Sequence, residues 1–351
     1  PIEPGETNVH WFFAAGPGDS REHERWCRTM GPVEAVAVPK TDFSAFGSND
    51  SLAVVVWNTD AGAGYLQELL RQELGLDCTG DTPRLKPGFS HFVLLIQEAL
   101  RRSNEIPDTP DKLWVTPPPV KEQERPGRRL GASEVARECG LSYIYAAASR
   151  NGWQPRDGLR EDKGNAIIST LPLSDFIVAE LPFEAARRVV PMATVHGPNG
   201  DSLRLASVHL ITTPPVWRTL KTGNSARLRQ SLGLVDALAL IEGERAGCSP
   251  EQVRSAECEV RSANSYPIAT VIAGDLNTWS TRETALRHLV EYFPDSPPLL
   301  QQPTRGPFPT DHLLFRRGQG GATVLPHTYE RIDKAYYSDH NPIVAFIKFT
   351  G

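Results

Sequence analysis

The stretch 268-IATVIAGDLN-277 is an apolar run that stops at a glycine, an acid and an amide. A run so nearly free of polar residues fits a strand covered on both faces, the kind that builds α/β sheets. Gly274 lets the chain leave a sheet where another backbone passes closely. Asp275 and Asn277, at i and i+2 of an extended segment, are expected to project to one face. Alone, the four residues GDLN read equally as a strand end turned by Asp and Asn, so the decision falls to the rest of the chain.

Six further runs share the texture: 52-LAVVVWN-58, 91-HFVLLIQEA-99, 165-NAIIST-170, 189-VVPMATV-195, 203-LRLASVHL-210 and 341-NPIVAFIKF-349. Helical spacing between them predicts a helix over 61–76, with Leu66, Leu69, Leu70 and Leu74 on one face and Asp60 as its cap. Two more are predicted over 226–243, ending at Gly243, and over 281–293, capped by Ser280. Strands alternating with helices indicate an α/β fold. Residues 1–50 carry one short apolar run, 33-VEAVAV-38, and read as an N-terminal extension with at most one or two strands; 51–351 read as one α/β domain. The Pro- and Arg-rich segment 103–133 reads as a long surface loop, and such loops are often functional.

With 351 residues, 40% hydrophobic and 23% charged, the chain suits a soluble globular protein with a sizeable core. No apolar run approaches the length of a membrane span, about 20 residues. A net charge of −5 argues against a broadly basic nucleic-acid coat, while leaving a local basic groove open. The five cysteines show neither CxxC nor zinc spacing. Cys248 and Cys258 share a loop-like segment and would pair in an oxidising compartment, free thiols being the alternative. The chain starts at Pro1 and not Met, which suggests that a tag or an export signal has been removed; the reading leans to export and a secreted or periplasmic protein.

Polar groups recur where apolar runs stop. Asn58 ends the first, Glu98 the second, His209 the run 203–210, and Asp275 with Asn277 the run 268–277; Asp339 and His340 precede the last, and Asp311 and His312 precede 313-LLF-315. Strand ends converge along one sheet edge, where α/β proteins collect reactive groups. The residue types suit phosphoester hydrolysis, which needs a cation for the phosphoryl oxygens, a base for water, and donors that hold the phosphate in line. Glu98 is a hard oxygen ligand of the kind Mg²⁺ takes. His209 and His340 can act near neutral pH when a partner fixes the tautomer.

In this order WN, QE, GN-aII-S, SVHL, GDLN, a late DH and SDHNP resemble the endonuclease/exonuclease/phosphatase superfamily, from about residue 52 to 349. The resemblance implies a four-layer α/β sandwich, two packed mixed β-sheets flanked by helices, and a phosphoesterase dependent on Mg²⁺, with Mn²⁺ or Ca²⁺ as alternatives. It also implies that Asn58, Glu98 and Asp339 form the metal site and that Asn165 and Arg227 contact substrate. A strand-end role for Asn165 and a solvated helix face for Arg227 and Arg229 are the competing readings. His209 would meet the phosphate or leaving group, Asn277 the phosphate, and Asp311 would pair with His340. Either Asp275 or His340 would be the base. His312 is assigned a structural role.

Nuclease, lipid phosphodiesterase and sugar-phosphate phosphatase share such an edge and differ in the loops around it. Lys121, Arg125, Arg128 and Arg129 against Glu122 and Glu124, with Arg101 and Arg102 near in sequence, suggest a modest basic lip. Trp114 and Trp217 are candidates for membrane docking. The reading is a phosphodiesterase, nuclease-like or acting on a lipid or small molecule, and monomeric. Its alternatives are a phosphomonoesterase of the same fold, or a catalytically silent binding module.

Overall fold

Two pairs of parallel strands organise the molecule. In one sheet β3 (Ser51–Asn58) lies parallel to β6 (Phe92–Ser103), and in the other β11 (Ser202–His209) lies parallel to β12 (Ala269–Asp275). Parallel neighbours need a crossover; the first contains helix α1 (Leu66–Gln72) and the second helix α3 (Asn224–Arg245). The structure, a computed structural model, describes residues 8–13, 24, 28–41, 43, 45–80, 82–107, 130–151, 160–184, 186–198, 200–212, 224–245, 266 and 268–349. The segment 121–129, Trp114, Trp217, Cys248 and Cys258 lie outside these residues.

Each pair is flanked by antiparallel neighbours, so both sheets are mixed. In the eight-stranded sheet β16 (Ile343–Phe349) pairs with β3, and β8 (Arg160–Ser169) pairs with β6. Beyond β8 come β7 (Ser142–Arg150) and β2 (Glu34–Val36), while β14 (Ala322–Val324) and β15 (Glu330–Arg331) pair with β16; β4 (Leu76–Asp77) and β5 (Arg84–Leu85) pair with each other. The six-stranded sheet runs β1 (His10–Phe13), β9 (Ser174–Glu180), β10 (Val189–His196), β11, β12 and β13 (Asp311–Arg316). Residues 1–50 thus supply an edge strand to each sheet.

The seven apolar runs are all strands, and their lack of polar residues follows from burial on both faces. Val54, Val56, Leu95 and Ile167 of one sheet meet Val178, Leu205, Val271 and Phe315 of the other. The alternate residues Val55, Trp57, Leu94 and Ile96 pack outward on Leu66, Leu69 and Leu70 of α1 and on Val135 and Ala136 of α2 (Ala132–Glu138). Val208, Ile272 and Leu314 meet Leu234 and Leu238 of α3 and Leu286 and Leu289 of α4 (Thr284–Tyr292). The result is the expected four-layer sandwich: helix, sheet, sheet, helix.

Several boundaries differ from expectation. Asp60 and Ala61 adopt positive φ (47° and 56°), so a turn precedes α1 and Asp60 is not its cap. Helix α3 begins at Asn224 and runs through Gly243 to Arg245, and α4 starts after Glu283, with Ser280 outside the helix. Strand β7, 142-SYIYAAASR-150, escaped prediction because three alanines weaken its β signal. It packs closely on β8 at Gly164, where a Cβ would lie 1.9 Å from the Ala146 carbonyl oxygen. Cys78 pairs with Cys139 at the end of α2.

Candidate active site

Because β3/β6 and β11/β12 are parallel pairs, their C-terminal ends open on the same edge. Registers then set the constellation: His209 lies opposite Asp275 and Asp275 opposite Asp311, while Asn58 lies opposite Gln97. His340 precedes β16 and is bridged to Arg305 through the backbone. Buried polar contacts lock the two sheets together here. Gln97 Nε2 donates to Ser207 Oγ (3.0 Å), and Ser207 Oγ donates to the Ile96 carbonyl (2.9 Å).

Asp275 is the hub. Its Oδ2 accepts from Asn58 Nδ2 at 2.9 Å and lies 3.5 Å from His209 Nε2 and 3.6 Å from His340 Nε2. Its Oδ1 accepts the Asn277 backbone N–H at 2.8 Å. That turn corrects the extended reading of GDLN: the strand ends at Asp275, and Asn277 has φ 52° and donates its amide to the Leu210 carbonyl (3.0 Å). Burial and the like charge of Asp311 push the Asp275 carboxyl up to about 6, against the pull of His340, Asn58 and Asn277.

His340 and His209 are set in opposite directions. His340 Nδ1 donates to Asp311 Oδ2 at 2.7 Å, and Asp311 is fully buried and also accepts from Thr310 Oγ1 (3.0 Å). Burial opposes charge on His340, but Asp311 and Asp275 outweigh it and raise the imidazole to about 9. Its Nε2, buried and without a hydrogen bond, is a donor aimed at the hub. His209 is held neutral: burial and the neighbouring Arg188 depress it well below its usual value.

Glu98 sits in a bulge of β6, where pairing with β8 shifts between Ile96 and Ala99 and its own φ is 49°. Such a bulge re-aims a side chain, and the Glu98 carboxylate meets Lys163 Nζ at 2.7 Å. Burial opposes its ionisation, yet the Lys163 ammonium beside it holds the carboxyl well below the usual carboxylate range. Asp339, more exposed, is paired with Arg305 at 2.8 Å. Lys163, Arg188 and Arg305 were missed by sequence reasoning. Lys163 stands two residues before Asn165 and Arg188 one before β10, where neither completes a recognisable pattern.

Other candidates take supporting places. Asn165 gives both amide hydrogens to main-chain carbonyls, Val189 (2.9 Å) and Ser207 (3.1 Å), and so ties the sheets. Arg227 is buried and binds Glu283 (2.8 Å), whose other oxygen accepts the Trp279 N–H, bracing the segment after GDLN. Arg229 pairs with Glu184. The basic lip loses two members: Arg101 is buried against Asp162 and Arg102 faces Glu161 at 3.6 Å.

His312 is wholly buried behind the site, 2.9 Å from Thr278 Oγ1, and burial pushes it down to about 4. The unfolded chain takes up this proton near pH 6.5 and the folded chain near 4, so stability is present above 6.5 and falls as pH drops from 6.5 to 4. The full difference is about 3 kcal/mol. Urea unfolding in EDTA at pH 7 and pH 4.5 should show the loss, and His312→Asn should reduce it, the remainder coming from the similarly depressed His209; an equal pH dependence in both proteins would disprove the assignment.

The oxygen donors here suit a hard divalent cation, which takes one or two carboxylates and keeps several waters. Glu98 and Asp339 are partly exposed, at 22% and 42% of their side chains, and Asn58 adds an amide oxygen that accepts the Asp60 N–H. Among the described residues no group of three His, Cys, Asp or Glu side chains is arranged to hold a metal ion by itself. Each of the two carboxylates instead has a basic side chain as its partner.

No protein-family profile matches the chain, and no curated protein is similar to it by sequence. Among solved structures it is similar to an endonuclease/exonuclease/phosphatase from Beutenbergia cavernae DSM 12333, at 17% identity over 86% of this chain and 72% of that one, with a TM-score of 0.48. It is similar to sphingomyelinase C from Streptomyces griseocarneus, at 14% identity over 85% and 99% of the two chains, TM-score 0.42. A third is a beta toxin mutant from Staphylococcus aureus with bound magnesium ions, at 14% identity over 85% and 99%, TM-score 0.44.

Proposed function

We propose that the protein is a Mg²⁺-dependent phosphoesterase that hydrolyses phosphodiester bonds, with residues 51–351 as its catalytic unit. One observation carries the reading: a buried carboxylate, Asp275, is contacted at once by Asn58, His209 and His340, and His340 is backed by Asp311. Asp275 is the base that takes a proton from the attacking water, since burial has raised its basicity towards neutral pH. His340, kept protonated by Asp311, donates through Nε2 to a phosphoryl oxygen. Arg188 offsets charge on the phosphate, and neutral His209 beside it serves as a hydrogen-bonding partner. Glu98 and Asp339, with Asn58 beside them, would hold the metal, which when bound would supply charge neutralisation at the phosphoryl and leaving oxygens.

Trp279 and Phe308 stack beside the site, ring centroids 5.5 Å apart, on the segments that follow Asn277 and precede Asp311. A flat apolar wall next to a phosphate site suits a diester with an aromatic or apolar substituent better than an inorganic-like phosphomonoester. The Cys78–Cys139 disulfide supports an oxidising compartment.

The test is hydrolysis of bis-p-nitrophenyl phosphate, p-nitrophenyl phosphate, plasmid DNA, RNA, sphingomyelin and inositol phosphates. Diester cleavage that stops in EDTA and returns with Mg²⁺ or Mn²⁺ is expected. Undiminished activity in EDTA would remove the metal from the reading. A preference for monoesters would favour the phosphatase alternative, and no turnover of any substrate would favour a silent binding module.

A further inference from the structure

Both carboxylates proposed for the metal are already neutralised by the protein itself, and the two pairs differ. Asp339 and Arg305 are each 42% exposed, so water screens their attraction. Glu98 and Lys163 are about half as exposed, at 22% and 25%, and their charged atoms lie 2.7 Å apart. Strand pairing fixes the contact: Lys163 lies opposite Leu100 in the β6–β8 ladder, just past the bulge that turns Glu98 towards it. An ammonium is a compact point charge with three donors, able to sit where a cation would. A divalent ion reaching Glu98 must displace it, at the cost of an ion pair strengthened by partial burial.

We infer that Lys163 is an internal competitor for the divalent cation at Glu98 and sets a deliberately weak metal affinity. The inference rests on the metal reading above. Arg188, whose guanidinium lies 3.5 Å from His209, adds positive charge that also acts on Glu98 and repels an incoming cation. On displacement the Lys163 ammonium stays at the mouth of the site, where a phosphate oxygen is the available anionic partner. Metal and anionic substrate are therefore retained together better than either is alone.

Calorimetric titration with Mn²⁺ alone reads this without turnover. Lys163→Met keeps the length of the side chain and the backbone ladder while removing the charge; Lys163→Arg keeps the charge. The Met variant is expected to bind Mn²⁺ about tenfold more tightly than the wild type, the Arg variant about as weakly as the wild type, and Glu98→Gln to lose the isotherm. Thermal melts in EDTA establish that each variant is folded. Equal Mn²⁺ affinity in the wild type and Lys163→Met, with binding still lost in Glu98→Gln, would overturn the competition and leave the metal reading standing. Absence of any Glu98-dependent binding in all four proteins would overturn both.

Discussion

His340→Ala is expected to lower turnover of bis-p-nitrophenyl phosphate by about 10² to 10⁴, the range over which a positioned acid or base contributes. The reason is specific to this geometry. Nδ1 is committed to a fully buried carboxylate, Asp311, so the ring is fixed and its Nε2 is the free end. Asp311→Asn should therefore act almost as strongly while leaving His340 in place, because an amide cannot hold the imidazolium. The two effects should not add, since both remove one protonated donor. The same groups set the pH profile. Asp275 works unprotonated, so activity rises through about pH 6; His340 works protonated, so activity falls above about pH 9. The alkaline limb should move down in Asp311→Asn. Rates within tenfold of the wild type for His340→Ala, with the protein folded, would exclude it as the donor.

The sequence carried the edge of the sheets better than what lies around it. Runs such as 268–277 were legible because burial on both faces leaves no polar residues, and the groups at their ends stood out by contrast. The same logic failed for β7, where three alanines carry no strand signature and the close approach at Gly164 is to the Ala146 backbone. It failed for the turn after Asp275, because a left-handed Asn277 depends on a side-chain acceptor two residues back. It failed most for Lys163, Arg188 and Arg305. Their roles depend on which carboxylate each meets across the fold, 65 residues apart for Lys163 and Glu98. A pairing of that kind arises from strand order and has no local pattern. The pairing of Cys78 with Cys139 escaped notice for the same reason: it joins residues 61 apart and has no local pattern.

The largest loss of stability is expected from Asp162→Ala, about 3–5 kcal/mol, as for other buried pairs stripped of one partner. Asp162 is wholly buried and accepts four hydrogen bonds: Arg101 Nε at 3.0 Å and Nη2 at 2.5 Å, Tyr145 Oη at 2.8 Å, and the Gly31 N–H at 3.1 Å. Burial disfavours the Arg101 charge, but Asp162 outweighs it, so the guanidinium remains ionised and is left unpaired when the carboxylate goes. Glu34, 3.3 Å from Nη1, compensates weakly from the edge strand. Urea unfolding monitored by Trp fluorescence should show a lower midpoint, with the slope close to the wild-type value. The double variant Arg101→Met with Asp162→Leu separates charge from packing: it should recover much of the loss, because no charge is stranded. By contrast, Asp295→Ala, which strips the exposed Arg317 of its partner, should cost under about 1 kcal/mol. The pair also bears on the site, since Arg101 lies three residues past Glu98 and Asp162 immediately precedes Lys163. A loosened Arg101–Asp162 contact therefore frees both strands that set the Glu98–Lys163 distance. If Asp162→Ala cost less than about 1 kcal/mol, the value typical of exposed pairs, water would have to reach Arg101, and the dry junction between β6, β7 and β8 would be wrong.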